Sequence, residues 1–430
     1  MPREYDRRNL DFILKEVFNY GSLCQYPRYA DYAPDMFDMV LDSAEQIAER
    51  HLRPHYVDSD RKQAELVDGT VQVHPSVEAY VKEMGESGMI GATFSYEKGG
   101  QQLPSIVGGA HEFIRGAANN SIVMFTGLSN GAAHLIASFG SKELADQYVP
   151  NMLSGKWAGT MCLTEPQAGS SLNDVSTSAK DLGNGTYAIK GQKIFISGGD
   201  NHFSENIIHL VLAKIPGPDG KLIPGVKGIS LFIVPKKMVN TEGQLTGIRN
   251  DVALAGLNHK CGWRGTTNTL LNFGEGKFKV ATDNTDSDGS GAVGYLVGQP
   301  GRGLGYMFHM MNEARIGVGL AATMLGMAGY EASLNYAKNR PQGRPVAGGT
   351  QKVVKDAAQA QVRIIEHADI KRMLLAQKSY CEGALALELY CAKLVDEQHT
   401  GTPDSADEAR LLLEVLTPIA KSWPSEWCLE

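Results

Sequence analysis

Apolar residues recur every three or four positions through the first third of the chain. Phe37, Val40, Leu41, Ala44, Ile47 and Ala48 line one face of a helix that stops before Pro54. Val77, Tyr80, Val81 and Met84 repeat the spacing, as do Ile106, Ala110, Phe113, Ile114 and Ala117. Ser141, followed by Leu144 and Tyr148, reads as the cap of a helix reaching about Leu153. At Trp157 the period changes. Short β-prone runs at 157–163, 185–189, 193–197, 207–213, 228–234 and 269–273 are separated by Gly, Pro, Asn and Asp. Strands this close, with no helices between them, predict an antiparallel sandwich or barrel. The acidic Gly/Ser-rich stretch 282–291 reads as a loop or linker. Helical spacing then returns with Leu304, Phe308, Met311, Arg315, Val318, Ala322 and Leu325 on one long helix ending near Asn339. A break at 340–350 precedes helices over about 366–398 and 406–430. The prediction is an α+β chain without internal repeats. It has an N-terminal helical domain (1–156), a middle antiparallel β-sandwich or barrel domain (157–283) and a C-terminal helical bundle domain (284–430).

A length of 430 residues also suggests two or three domains, at about 100–200 residues each. The formal charge of −7 argues against a general nucleic-acid or membrane-surface binder, which needs a basic face. Cys24, Cys162, Cys261, Cys381, Cys391 and Cys428 contain no CxxC pair, so reduced thiols in a cytoplasmic protein are expected. The charged start lacks the apolar core of a signal peptide. The best candidate for a membrane span, the fifteen uncharged residues between Arg315 and Glu331, falls short of the roughly 20 residues needed, is rich in Gly and Ala, and predicts a buried helix.

Two glycine patterns invite a dinucleotide reading: Gly289-Ser-Gly-Ala-Val-Gly294 and Gly317-Val-Gly-Leu-Ala-Ala322. A Rossmann site needs such glycines between a strand and a helix. The first falls in the acidic loop and the second inside the long helix, so loop glycines and close helix packing are expected instead. The eleven histidines show no metal-ligand spacing, and no metal is expected. His134, on an apolar stretch, reads as a packed core histidine. Met307, Met310, Met311, Met324 and Met327 on the long helix read as core, although methionine also suits a pliable wall against an acyl chain.

The informative segment is Met161-Cys-Leu-Thr-Glu-Pro-Gln-Ala-Gly-Ser170, a β-run ending in a hydroxyl, a carboxylate and a small-residue turn. Such a turn can present N–H groups and a hydroxyl to an anionic or heteroaromatic ligand. The segment resembles the flavin-binding signature of the acyl-CoA dehydrogenase family. Lys193-Ile-Phe-Ile-Ser-Gly-Gly199, Met311-Asn-Glu-Ala-Arg-Ile-Gly-Val-Gly319 and Arg340-Pro-Gln-Gly-Arg344 resemble its further motifs, in the same order. The first sixty residues, with 207–216 and 417–428, look like the larger bacterial 3-methylmercaptopropionyl-CoA dehydrogenase-type subgroup.

The resemblance implies FAD as cofactor and an acyl-CoA as substrate, oxidised between its α and β carbons. A fatty acyl-CoA or 3-(methylthio)propanoyl-CoA would serve. It also implies an electron-transfer flavoprotein or similar acceptor, and a homo-oligomer. Met161, Leu163, Thr164, Gly169 and Ser170 would wrap the flavin, with Thr164 on the ring and Ser170 near pyrophosphate and substrate. Phe195, where many relatives have Trp, would stack on the ring, and Ser197 would lie close to its reactive nitrogen. Asn312 and Arg315 would meet the acyl-CoA, and Arg340 and Gln342 would reach FAD across a dimer interface. The family's usual base, a Glu followed by Gly-Thr, does not occur before Glu430. The expectation is a C-terminally truncated chain, or else a short homologue without that base. Ala314 stands where some relatives carry a base instead. Glu313, one residue earlier, is turned about 100° around the helix and so away from the pocket. An acyl-CoA oxidase-type flavoprotein and a non-catalytic acyl-CoA or flavin-binding homologue are the alternatives.

Overall fold

A computed structural model of the chain describes residues 3–280, 291–344 and 359–430, and the side chains of 309–313 lie outside the described set. The chain opens with α1 (Arg7–Asp11), α2 (Pro34–Ile47) and α3 (Tyr56–Arg61). A hairpin of β1 (Glu65–Val67) and β2 (Thr70–Gln72) leads into α4 (Pro75–Glu86). Proline opens α2 and α4, where a missing N–H sacrifices no helix bond. The buried face of α2 carries Phe37, Leu41, Ala44 and Ile47, as the spacing predicts. Next come α5 (Ser105–Phe139) and α6 (Lys142–Leu153), and the Ser141 hydroxyl caps α6 by accepting from Leu144 N–H at 3.3 Å. Among the described residues α5, and not the stretch near 315–331, is long and apolar enough to cross a membrane. Half of its apolar window is buried inside the protein, as in a core helix.

The β region comprises β3 (Trp157–Cys162), β4 (Ser178–Asp181), β5 (Tyr187–Ser197), β6 (Asn206–Lys214) and β7 (Ile229–Pro235). It continues with β8 (Lys237–Val239), β9 (Leu245–Arg249), β10 (Val252–Leu257), β11 (Asn268–Phe273) and β12 (Ala292–Val297). One eight-stranded sheet runs β10-β11-β5-β12-β7-β6-β3, with β4 beside β5 and β6. It is mostly antiparallel as expected, but edge strand β3 lies parallel to β6, from Trp157↔Asn206 to Cys162↔Val211. The runs at 185–189 and 193–197 form the single strand β5. It passes through Gly191, where a Cβ would stand 2.8 Å from Thr177 Cα. Every residue of β6 and β7 is buried, which explains their unbroken apolar runs. The long helix α7 (Gly303–Asn339), α8 (Ala368–Thr400) and α9 (Pro403–Trp427) complete the order.

Two compact units share these elements. One joins Met1–Ala48, Pro104–Asn120 and Arg315–Glu430, and the other joins Glu49–Leu103 and Ser121–Ala314. In the first unit Tyr380 of α8 meets Trp423 and Trp427 of α9 at 5.8 and 5.6 Å between ring centroids. Asp396, on α8, accepts from the first two N–H groups of α5, at Ser105 (2.6 Å) and Ile106 (3.0 Å), and from the Tyr29 hydroxyl (2.8 Å). Those N–H groups have no partner inside their own helix, so a side chain 290 residues away caps them. Gly319 abuts the Ala420 carbonyl so closely that no Cβ fits, which makes its GxGxxA match a helix-packing feature. Gly294 lies in strand β12, where a Cβ would meet Ile189 at 2.8 Å. The start of that first glycine pattern lies outside the described residues. In the second unit Cys162, Ile189, Ile196, Val211, Phe232, Leu271 and Phe273 form the sheet's core. His134 is only half-buried, against the Phe94 ring at 5.4 Å, so the expected core position is corrected: it sits at the rim.

Candidate functional site

Strand β3 reaches the edge of the sheet at Cys162, and the chain then turns through Leu163–Ser170. The turn is held shut by paired backbone bonds, Glu165 N–H to Ala168 O (2.8 Å) and Ala168 N–H to Glu165 O (3.1 Å). Ile194 N–H donates to the Thr164 carbonyl at 2.9 Å. This bond joins the end of β3 to β5 and brings together two motifs thirty residues apart.

Beneath the joint lies a buried ion pair that carries no role in the sequence reading. Lys193 Nζ stands 2.8 Å from Glu165 Oε1 and donates to the Leu163 carbonyl at 3.0 Å. The two side chains are 0% and 1% exposed. The Glu165 carboxylate also accepts from Ser176 N–H and Oγ (both 2.8 Å), from Thr177 N–H (3.1 Å) and Oγ1 (2.6 Å), and from Gln167 Nε2 (2.7 Å). Burial pushes the Glu165 carboxyl up. Lys193 and the surrounding donors outweigh it and hold the carboxyl at about 2. Burial pulls Lys193 down while Glu165 pulls it back up. With every acceptor position engaged, the pair is charged, and it fixes the turn to β5. A Lys at the head of the Ile-Phe-Ile run was the available signal.

Above this pair Phe195 has φ +61° and is 61% exposed. A left-handed backbone under an aromatic side chain costs about 1–3 kcal/mol and persists only where neighbours over-determine it. Here Ile194 N–H is bonded to Thr164, and the Ile196 carbonyl accepts from Thr269 Oγ1 at 3.0 Å. Gly198 N–H is anchored on the Thr267 carbonyl at 3.0 Å. A large ring is thus held out to solvent beside a half-buried threonine. Met161, Leu163 and Ser197 are half-buried on the same segments, while Gly169 and Ser170 are exposed. A Cβ on Gly169 would meet only Thr164 Cγ2, at an ordinary 3.5 Å, so internal packing does not demand glycine there. An exposed flat ring, two hydroxyls and a stiffened turn fit a planar heteroaromatic group with a polar edge, and FAD is such a group.

The remaining expected residues belong to other segments of the chain. Arg340 and Gln342 belong to the other unit and are exposed. Their segment is bonded to residues 362–364 through Gln342 N–H to Val362 O (2.9 Å) and Ile364 N–H to Arg340 O (2.9 Å). The Gln342 carbonyl also meets His367 Nε2 at 2.7 Å. Arg315 is half-buried on α7. Asn312 and Glu313 lie on the same helix, and their side chains are outside the described residues, as are those of Met310 and Met311. Met307, Met324 and Met327 are buried, consistent with core positions.

Comparison with known proteins bears on the fold and the family. Residues 35–156 match the acyl-CoA dehydrogenase N-terminal domain and residues 160–267 its middle domain. The chain is 33% identical over 424 residues to a 3-methylmercaptopropionyl-CoA dehydrogenase of Ruegeria pomeroyi, covering 98% of this chain and 67% of that protein. It is 35% identical over 434 residues to a butyryl-CoA dehydrogenase of Syntrophomonas wolfei, with coverage of 98% and 67%. The chain therefore spans about two thirds of the length of these relatives. Among solved structures, an acyl-CoA dehydrogenase complexed with FAD from Bacillus anthracis superposes with a TM-score of 0.67 at 19% identity, over 94% of this chain and 60% of that one. The butyryl-CoA dehydrogenase of Megasphaera elsdenii gives 0.64 at 18% identity, over 93% and 90%. The architecture of helices, β-sheet and helices is that of an acyl-CoA dehydrogenase-type oxidoreductase. This chain belongs to the acyl-CoA dehydrogenase family.

Proposed function

We propose that this protein is an FAD-dependent acyl-CoA dehydrogenase that desaturates an acyl-CoA thioester between its α and β carbons. Its substrate in this reading is 3-(methylthio)propanoyl-CoA or a fatty acyl-CoA. The observation that carries the proposal is the exposed, left-handed Phe195 held beside Thr164 over a buried ion pair. FAD, when bound, supplies the acceptor for the β-hydride. The protein's own residues bind and orient. Phe195 offers its face to the ring and keeps water from it, and the Thr164 and Ser197 hydroxyls hydrogen-bond the ring's polar edge. Gly169 lets the chain approach the ligand, and Ser170 serves pyrophosphate and substrate. Asn312 and Arg315 hold the acyl-CoA, and Arg340 and Gln342 contact FAD from a neighbouring copy. The reading includes a homo-oligomer in the cytoplasm and an electron-transfer flavoprotein or similar acceptor.

Abstraction of the α-proton needs a carboxylate in a dry pocket. No Glu-Gly-Thr occurs in residues 1–430, so the proposal includes a longer natural chain that supplies this base. The test is anaerobic mixing of the FAD-loaded 430-residue chain with a panel of acyl-CoAs, while the flavin absorption band is watched. The expected result is a yellow protein whose band persists until the longer chain is used. A correctly folded chain that takes up no FAD overturns the proposal. Rapid bleaching by residues 1–430, abolished in Glu313→Gln, makes Glu313 the base. Stoichiometric oxygen consumption during turnover replaces the dehydrogenase with an oxidase.

A further inference from the structure

His55, Asp58 and His74 are far from any spacing that announces a metal, yet the hairpin β1–β2 folds the chain back and brings them together. The hairpin pairs Glu65↔Gln72, Leu66↔Val71 and Val67↔Thr70. It returns His74, the residue capping α4, to the side of α3 that carries Asp58. His74 Nε2 stands 3.1 Å from Asp58 Oδ2, and His55 Nδ1 stands 3.4 Å from the same oxygen. The three ligating atoms all lie within 4.8 Å of one another. The two imidazole rings are 5.2 Å apart at 49°.

Two features separate this arrangement from an ordinary hydrogen-bonded cluster. An N–H···O bond spans about 2.7–3.2 Å, and the His55 contact is longer than that. Ligands about 2.0–2.1 Å from a tetrahedral Zn²⁺ stand roughly 3.3 Å apart, and both measured edges fall close to that value. The second feature is support behind the ring. His74 Nδ1 lies 2.7 Å from Ser76 Oγ. Nδ1 also accepts from Ser76 N–H at 3.3 Å, so without a metal Nε2 carries the proton and donates to Asp58. Metal binding at Nε2 moves that proton to Nδ1, which then donates to the Ser76 hydroxyl, the support that orients metal-binding imidazoles. Asp58 Oδ1 is buried with no hydrogen bond among the described residues, so the carboxylate has capacity to spare. The His74 side chain is 8% exposed, but His55 and Asp58 are 36% and 41% exposed. A fourth position therefore opens to water.

We propose that His55, Asp58 and His74 form a Zn²⁺ site that clamps the β1–β2 hairpin between α3 and α4. The donor set of two imidazoles and one carboxylate suits Zn²⁺ and disfavours Mg²⁺ or Ca²⁺, which take oxygen ligands. The site is independent of the flavin reading. It is tested on the chelator-treated 430-residue chain by calorimetric titration with Zn²⁺ alone, with Mg²⁺ as control and Co²⁺ absorption as a geometric probe. His74→Asn removes the ligand yet keeps a favoured N-cap for α4, and His55→Ala removes a half-exposed ring outside the core. One Zn²⁺ per chain is expected, with affinity falling roughly 100-fold in each variant. A zinc-dependent rise in melting temperature should appear in the parent alone. Less than one Zn²⁺ per chain, equal affinity in the parent and in folded variants, or equal response to Mg²⁺ overturns the site.

Discussion

Phe195 holds a backbone angle that its own side chain disfavours, and it exposes the ring that burial would reward. Both facts act in the same direction on stability. Phe195→Gly should relieve the φ +61° strain, since glycine reaches that region freely. Little contact is lost, because the ring is 61% exposed. Glycine also enlarges the freedom of the unfolded chain, which offsets part of the relief. The ligand-free protein is therefore expected to change by less than about 1 kcal/mol, measured by thermal unfolding. FAD affinity should fall at least tenfold in a fluorescence titration, because the stacking face has gone. A fall in stability with unchanged affinity would assign Phe195 to packing alone. At this scale the candidate residues were legible. Thr164, Gly169, Ser170, Phe195 and Ser197 announce themselves by motif, whereas Glu165 and Lys193 do not. A charged residue in an apolar run reads as a solvent-facing alternation until a partner from another strand is known.

The helices of the first unit offer the clearest prediction about elements. Glu388 on α8 is 2% exposed, beside Gly319 of α7, and neither of its oxygens has a hydrogen-bond partner among the described residues. Burial first, then the Cys428 thiol, pushes its carboxyl up to about 9. The unfolded group ionises near 4.5, so between these values the folded state keeps a proton that the unfolded state releases. The sign follows directly. Stability is highest below the unfolded value and declines as pH rises toward about 9. Glu388→Met, of similar length and uncharged, should remove this slope and stabilise the protein at pH 8 by roughly 1–3 kcal/mol. Melting curves at pH 5 and pH 8 decide it: a parent and variant with parallel pH dependence would show that Glu388 is solvated in solution. Most helices were visible from their periodicity, because an amphipathic face repeats locally. Strands β4, β8, β9, β10 and β12 were not read from the sequence. They are six residues or fewer, too short to show a period of their own, and β12 takes its partners from the distant β5 and β7.

For the molecule as a whole, the segment 340–344 ties assembly to the flavin reading. Its Arg340 is exposed and anchored through main-chain bonds to residues 362–364, so its guanidinium is free of any core-packing duty. Arg340→Ala should leave folding intact while lowering FAD affinity or shifting the oligomer toward smaller species, followed by sedimentation at matched concentration. Unchanged affinity and unchanged assembly would remove Arg340 from the cofactor site. The net charge of −7 excludes little here, since an anionic cofactor is held by local N–H groups and single cations.

Periodicity, turn residues and four ordered motifs determined the succession of helices, sheet and helices, and pointed to the segment proposed to meet a flavin. They could do so because these properties are local: a face repeats every three or four residues, and a motif occupies ten. Tertiary structure alone decided the parallel edge strand β3, the capping of α5 by Asp396 and the Glu165–Lys193 pair. It alone brought His55, Asp58 and His74 together. Each of these joins residues whose separation along the chain is set by intervening turns and strands. No spacing rule links them until backbone hydrogen bonding has brought the segments side by side.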